Sequence, residues 1–508
     1  MRRIGFGAWM ALLVVLALLG PAIAPHAPAA APRAFSRYEI DARLEPGVGA
    51  INATMTLDWV NDTGEPQASV FFRVYPNAGY YGDGALTLLE TSVDGAPVSP
   101  AVPADPTVLE VPLPAAVGPG ARATIAFAFQ TAVPSVAPDG LGIFQHDARG
   151  VWSLANWYPI VAGYEPGQGW YLEPPTIFGD PTFSDTADYH VRFRTPAGYT
   201  VVGSGAETTT PDPDGGLVTE LRAPLAREFA LTVLPGGAGG EIVSRSVQAG
   251  GTELTLTLPK DLAIPGVEET ILETAADALP VYAGWFGDDP GGNLDFTTVD
   301  LTGASAVSFA GTMWLDIDSI AGDQELSEIE RIRLRFIVLH ELGHQWISNI
   351  IGANTNDHQF MSEGLVNMLV VAAVNDVYGP AEAERYLRAD VAGAYQALVR
   401  DGRDGVADTA VSNELNGVLH SIFVYGKAAV GFEAIRQEIG SEVFFSAMGA
   451  YGREFRFGIA TPDDLRRVLE ESSGEDLDAL WVFWFEDKGA TIADVDAVLD
   501  GYAATAGG

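Results

Sequence analysis

The chain has 508 residues, 47% of them hydrophobic, enough to bury large cores and to fold as roughly two to four domains, which excludes wholesale disorder. It carries 67 acidic against 28 basic residues, a net charge of −39. That field opposes nucleic acid and anionic membrane surfaces and attracts cationic groups such as a peptide's free amine. There is no cysteine, which removes disulfides, thiolate metal ligands and a cysteine nucleophile.

In chain order, Arg2 and Arg3 precede an apolar run over 4–19 and then Pro21-Ala22-Ile23-Ala24. This is the layout of a secretory signal and implies an extracytoplasmic protein. Pro25 disfavours cleavage after Ala24; cleavage after Ala29 and retention as an N-terminal membrane anchor both stay open. Residues 1–35 are therefore expected to be a signal or anchor followed by an Ala/Pro linker. No apolar run after Phe35 reads as membrane-spanning.

Residues 36–240 read as β structure, with strands expected at 51–60, 68–74, 122–129, 189–194 and 229–233. Turn clusters such as Asn61-Asp62-Thr63-Gly64 and Pro211-Asp212-Pro213-Asp214-Gly215-Gly216 separate them. Many short strands with few helical patterns predict an antiparallel sandwich. The run Gly236-Gly237-Ala238-Gly239-Gly240 marks a boundary. Over 241–508, strands are expected at 242–247, 253–258 and 294–299. Helices are expected at 267–286, 365–378, 380–400, 427–439, 462–471 and 477–485, giving a mainly helical second domain.

That domain contains His340-Glu341-Leu342-Gly343-His344 on an apolar helix expected to start at a capping box, Ser327 with Glu330, and to continue to Gly352. Residues four apart share a helical face, so His340 and His344 can hold one metal ion while Glu341 reaches a water on it. This is the zincin arrangement. Two surface histidines flanking a glutamate by chance would be the bland alternative, but the chain has only 7 histidines, and buried imidazoles without partners are costly. A His₂Glu zinc site needs a third, carboxylate ligand. Glu363, 18 residues after His344 and at the start of the next apolar helix, is the candidate. His358 is the rival, read more simply as a loop or cleft histidine.

These residues resemble the aminopeptidase N-like (gluzincin) family of zinc metallopeptidases, which includes leukotriene hydrolase relatives. His340, Glu341, His344 and Glu363 match its zinc signature at the family's spacing. His344-Gln345-Trp346, Ser362-Glu363-Gly364-Leu365, Asn156-Trp157-Tyr158-Pro159, Gly179-Asp180-Pro181 and 201–205 also look like the family. Tyr425-Gly426-Lys427 resembles its Tyr-x-Lys-Gly motif, with Ala428 in place of the glycine. The resemblance implies a β-rich domain followed by a thermolysin-like catalytic domain and one Zn²⁺ held by His340, His344 and Glu363. It further implies peptide hydrolysis with Glu341 as general base and Tyr425 as donor to the tetrahedral oxyanion.

One departure bears on specificity. Where the family has a Gly-x-Met-Glu-Asn loop whose Glu holds the substrate's amino terminus, this chain reads Gly303-Ala304-Ser305-Ala306-Val307-Ser308-Phe309-Ala310-Gly311. Ala306 or Ser308 occupies the Glu position, and neither pairs with an ammonium group; Asp316 and Asp318 are the nearby carboxylates. The leading expectation is an aminopeptidase-type enzyme acting on peptides. The alternatives are an endopeptidase or non-peptide hydrolase and, in another class, a non-catalytic exported binding protein. Oligomeric state is not legible.

Overall fold

Alternation of apolar and polar side chains builds the first half of the chain. In the strand Ala50–Val60, Met55, Leu57 and Trp59 are buried while their neighbours face outward, the period of two that one covered sheet face requires. The computed structural model describes residues 33–505, apart from 136–139, 177–181, 237–240, 288–289, 291, 322–324 and 412–415. The signal or anchor segment and the Gly179-Asp180-Pro181 stretch therefore lie wholly or largely outside the described residues.

The largest sheet has eight strands in the order Ala206–Pro211, Leu217–Ala226, Ala187–Thr195, Ser36–Glu45, Ala50–Val60, Arg122–Ala132, Ala85–Val93 and Ala96–Pro97. It shares one core with strands of two smaller sheets, among them Gln67–Arg73 and Trp152–Ala155. The five strands expected from sequence are present within a few residues. The expected antiparallel sandwich needs one correction: Ser36–Glu45 and Ala187–Thr195 run parallel, Ser36 opposite Ala187 and Arg43 opposite Arg194. More than a hundred residues separate them, ample for the crossover that a parallel pair demands.

The second half opens with a mixed five-stranded sheet, ordered Ile242–Ala249, Thr252–Pro259, Asn293–Thr298, Thr312–Leu315 and Ala306–Phe309. The helix Val267–Phe286 lies where expected, between Gly266 and Gly287. Helices then dominate and form a second, larger core. A small apolar cluster joins the halves, with Ile143, Val151 and Leu234 against Val299, Leu301 and Trp314.

Three expected helices are not continuous. The one expected over 380–400 divides into Pro380–Tyr386, a wide π-type turn at Leu387–Val391, and Gly393–Arg400. That over 477–485 widens after Asp478–Trp481. The histidine helix runs Glu328–Gly343, short of Gly352. Gln345 N bonds back three residues to Leu342 O, and Ser348 then adopts φ +93°, which no helix accommodates. Two stretches, Gln359–Tyr378 and Gly417–Ile439, are long and apolar enough to cross a membrane by length and composition, but most of each is buried in this core.

Candidate metal centre

The histidine helix begins with the expected capping box: Ser327 N donates to Glu330 Oε2 at 2.7 Å, and Glu330 N donates to Ser327 Oγ at 3.3 Å. Its last turns are buried, which brings His340, Glu341 and His344 below the surface. The next long helix, Glu363–Tyr378, packs beside it and begins with Glu363.

The two elements bring three ligand atoms together. His340 Nε2 and His344 Nε2 lie 2.9 Å apart, and Glu363 Oε2 is 3.0 and 3.4 Å from them. The far ring nitrogens decide what this cluster can hold. Asn367 Nδ2 donates to Tyr425 O at 3.2 Å, so its Oδ1, 2.9 Å from His340 Nδ1, is an acceptor. His344 Nδ1 lies 3.3 Å from the carbonyl of Ile347, which can only accept. Both Nδ1 atoms therefore carry the proton, and two Nε2 lone pairs face each other beside a carboxylate. Such an arrangement is repulsive without a cation between the groups. The residues fit one zinc ion of the His₂Glu type, with the outer hydrogen bonds that orient metal-bound histidines.

Burial pushes the Glu341 carboxyl up to about 7; the neighbouring His340 opposes the rise and the charge of Glu363 adds to it. Burial alone would also raise Glu363, but the two imidazoles outweigh it and hold its carboxyl well below the usual range. One carboxylate is thus kept as an anion among the imidazoles, and the other is poised near neutrality.

The Tyr425 ring stacks beside His340, with centroids 6.2 Å apart and planes at 20°. It sits in a wide turn, Ile422–Lys427, of the π type that often marks functional positions. Lys427 has another role: its fully buried ammonium donates to Asp404 Oδ2 at 3.1 Å and to the carbonyls of Gly405 and Asp487 at 2.7 Å, a structural tie. His358 is outside the cluster, paired with Asp408 at 2.7 Å. His420 is buried against Gln359 Oε1 at 2.7 Å. Trp157 and Tyr158 are core residues, and Gln145 Nε2 donates to Asp300 O at 2.9 Å. Asp316 accepts from Ser319 N at 3.1 Å and Asp318 pairs with Arg149, so both carboxylates are held by structural partners. Asn367 was not singled out from the sequence; its position four residues after Glu363, on the same helical face, is the signal that marks it.

Residues 271–484 match the peptidase family M1 domain. The chain is 28% identical over 182 residues to aminopeptidase N of Lactococcus lactis subsp. lactis, covering 35% of this chain and 21% of that protein. It is 24% identical over 234 residues to aminopeptidase M1-B of Oryza sativa subsp. japonica, covering 46% and 26%. The matched stretch thus spans only about a fifth to a quarter of these relatives' length. In fold, the chain is similar to an M1 zinc metallopeptidase from Deinococcus radiodurans, solved as a point mutant. The TM-score is 0.64 at 18% identity, over 90% of this chain and 95% of that one. A second structure of that mutant, bound to a Tyr-Ser-Ala substrate, gives the same figures. Residues 271–484 thus carry a peptidase family M1 domain, and the chain is similar to aminopeptidase N-type proteins in that region and to M1 zinc metallopeptidases in its two-part fold.

Proposed function

We propose that this chain is an extracytoplasmic zinc peptidase of the aminopeptidase type. The observation that carries the reading is the convergence of His340 Nε2, His344 Nε2 and Glu363 Oε2, all within 4.8 Å of one another, with both far ring nitrogens committed to acceptors. His340, His344 and Glu363 would hold the ion. Zinc, when bound, polarises the scissile carbonyl and acidifies a water. Glu341, buried beside His340 on the same helix, is the base: its carboxylate takes the water's proton and returns it to the leaving amine. Tyr425, stacked on His340, donates its phenolic hydrogen bond where negative charge develops on the carbonyl oxygen. Residues 36–240 serve as the β-rich domain and 241–508 as the catalytic domain, a division that the two separate large cores support. The leader with Arg2, Arg3 and the apolar run over 4–19 supports export, by secretion or on an N-terminal anchor.

A second reading, cleavage that does not require a free amine, has one observation in its favour. The strand Ala306–Phe309 carries no carboxylate, and Asp316 and Asp318 are already held by partners. A free-amino peptide and its N-acetylated form, each assayed with and without a chelator, separate the readings. Preferential cleavage of the free form is expected, lost with the chelator. Equal cleavage of both forms would favour the second reading. Glu341→Gln should retain zinc and lose at least about 10²–10⁴-fold in turnover; wild-type turnover in that variant would reject the assigned base.

A further inference from the structure

We infer that Arg227, supplied by the β-rich half of the chain, is a positioning residue for the metal centre. The inference rests on the reading of His340, His344 and Glu363 as zinc ligands. Arg227 lies just ahead of the strand Ala230–Pro235 and is 8% exposed. Its guanidinium is spread over three backbone carbonyls: Nε donates to Ser348 O at 2.8 Å, Nη1 to Ser184 O at 2.8 Å and Nη2 to Gly458 O at 2.9 Å. Ser348 and Gly458 belong to the catalytic half, so one planar fork clamps two catalytic segments to the sandwich.

The clamped segments are strained. Ser348 has φ +93° and Phe457, next to Gly458, has φ +56°. Non-glycine residues hold such angles only where their surroundings impose them. Ser348 sits four residues after His344. Its Oγ is 2.7 Å from Ser362 Oγ, and the two hydroxyls lie 3.5 and 3.4 Å from His344 Nδ1. Ser362 directly precedes Glu363. The carbonyl gripped by Arg227 therefore belongs to a turn that touches the outer edge of one ligand and the residue before another. Removing the grip frees the turn to relax its positive φ and to pull its hydroxyl from the His344–Ser362 junction. Groups that orient metal ligands from behind typically tune affinity by about 10–100-fold.

Gly352 provides an independent handle on the same contact. A Cβ at this position would lie 2.2 Å from Arg227 Cζ, so an alanine there displaces the flexible guanidinium without removing it. Arg227→Lys removes the fork but keeps the charge.

The experiment uses the full chain loaded with zinc. Zinc affinity is measured by chelator competition, and the melting temperature is taken with and without zinc. Arg227→Lys, Arg227→Met and Gly352→Ala should each weaken zinc binding about 10–100-fold and shrink the melting-temperature gain that zinc confers. Arg122→Met, which removes an exposed arginine of the sandwich, should change neither. Wild-type zinc affinity in Arg227→Lys and Gly352→Ala, even with a lowered melting temperature, would overturn the proposal and leave Arg227 a purely structural clamp. Should Arg227→Met fail to fold, those two variants decide. His344→Ala separates the two levels: retained tight zinc binding there rejects the metal-centre reading itself. Lost binding there with unchanged Arg227 variants rejects only the positioning role.

Discussion

Tyr425 and Asn367 show how much of this centre depends on groups that are not ligands. Asn367 joins two parts of it, accepting from His340 Nδ1 and donating to the Tyr425 carbonyl. The Tyr425 ring is thereby held near the His340 face and its backbone near the histidine's outer edge. If its hydroxyl meets the developing oxyanion, Tyr425→Phe should lower turnover by about 10²–10³-fold with zinc content unchanged, as read by steady-state kinetics and metal analysis. A fall in zinc content would assign Tyr425 to metal retention. The pair His340/His344 and the distant Glu363 are legible in the chain because the first two share a helical face and the third follows at a recognisable spacing. Asn367 and Arg227 are less legible: Asn367 is marked only by lying four residues after Glu363, a lone Arg before a strand carries no periodic signal, and the role of Arg227 comes from atoms up to 231 residues away.

At the scale of elements, the helix Glu363–Tyr378 and the Tyr425 segment meet at a glycine. A Cβ on Gly364 would lie 2.4 Å from Ala428 Cβ and 2.8 Å from Val424 O, so the backbones approach more closely than any larger residue allows. Gly364→Ala should therefore cost about 1–3 kcal/mol, the usual penalty of overpacking, in denaturant unfolding. It should also lower turnover by moving Tyr425 away from His340. Helix Val267–Phe286 is legible down to its ends because Gly266 and Gly287 bracket it with left-handed φ. The histidine helix is legible at its start, where a local capping box acts, but not at its end. The apolar run continues past the helix end at Gly343, and the turn that follows it is held at Ser348 by a guanidinium from the other half of the chain.

Across the whole molecule, two carboxylates meet at the junction of the halves. Asn293 Nδ2 donates to Gly205 O at 3.1 Å and to Asp295 Oδ2 at 2.6 Å. Asp295 lies on a central strand of the second half, and Glu207 on an edge strand of the large sheet. Burial raises the carboxyl groups of both. The charge of Glu207 raises Asp295 further and Glu253 adds to this, against the hydrogen bond from Asn293. Because both are raised in the folded state, their contribution to stability is present in acid, below the ordinary carboxylate range. It is lost as pH rises through their elevated values, between about pH 5 and 8. Asp404 acts in the opposite sense: burial alone would raise it, but hydrogen bonds from Gly489 and Ala490 and the Lys427 ammonium lower it, so its contribution falls away only at lower pH. Asp295→Asn should flatten the decline in stability from pH 5 to 8 by on the order of 1–3 kcal/mol, followed by thermal unfolding across that range. An unchanged slope would remove the pair as its source.

Local periodicity carried the chain a long way. Period-two alternation marks the sandwich strands, period 3.6 marks the helices, and an i, i+4 histidine pair with its distant glutamate marks the metal site, because each depends on residues that are neighbours within one element. The parallel pairing of Ser36–Glu45 with Ala187–Thr195, the end of the histidine helix at Gly343, the wide turn that presents Tyr425, and the clamp of Arg227 follow no such pattern. They are fixed by contacts between segments far apart in sequence, where packing and the need to satisfy buried carbonyls override local preference.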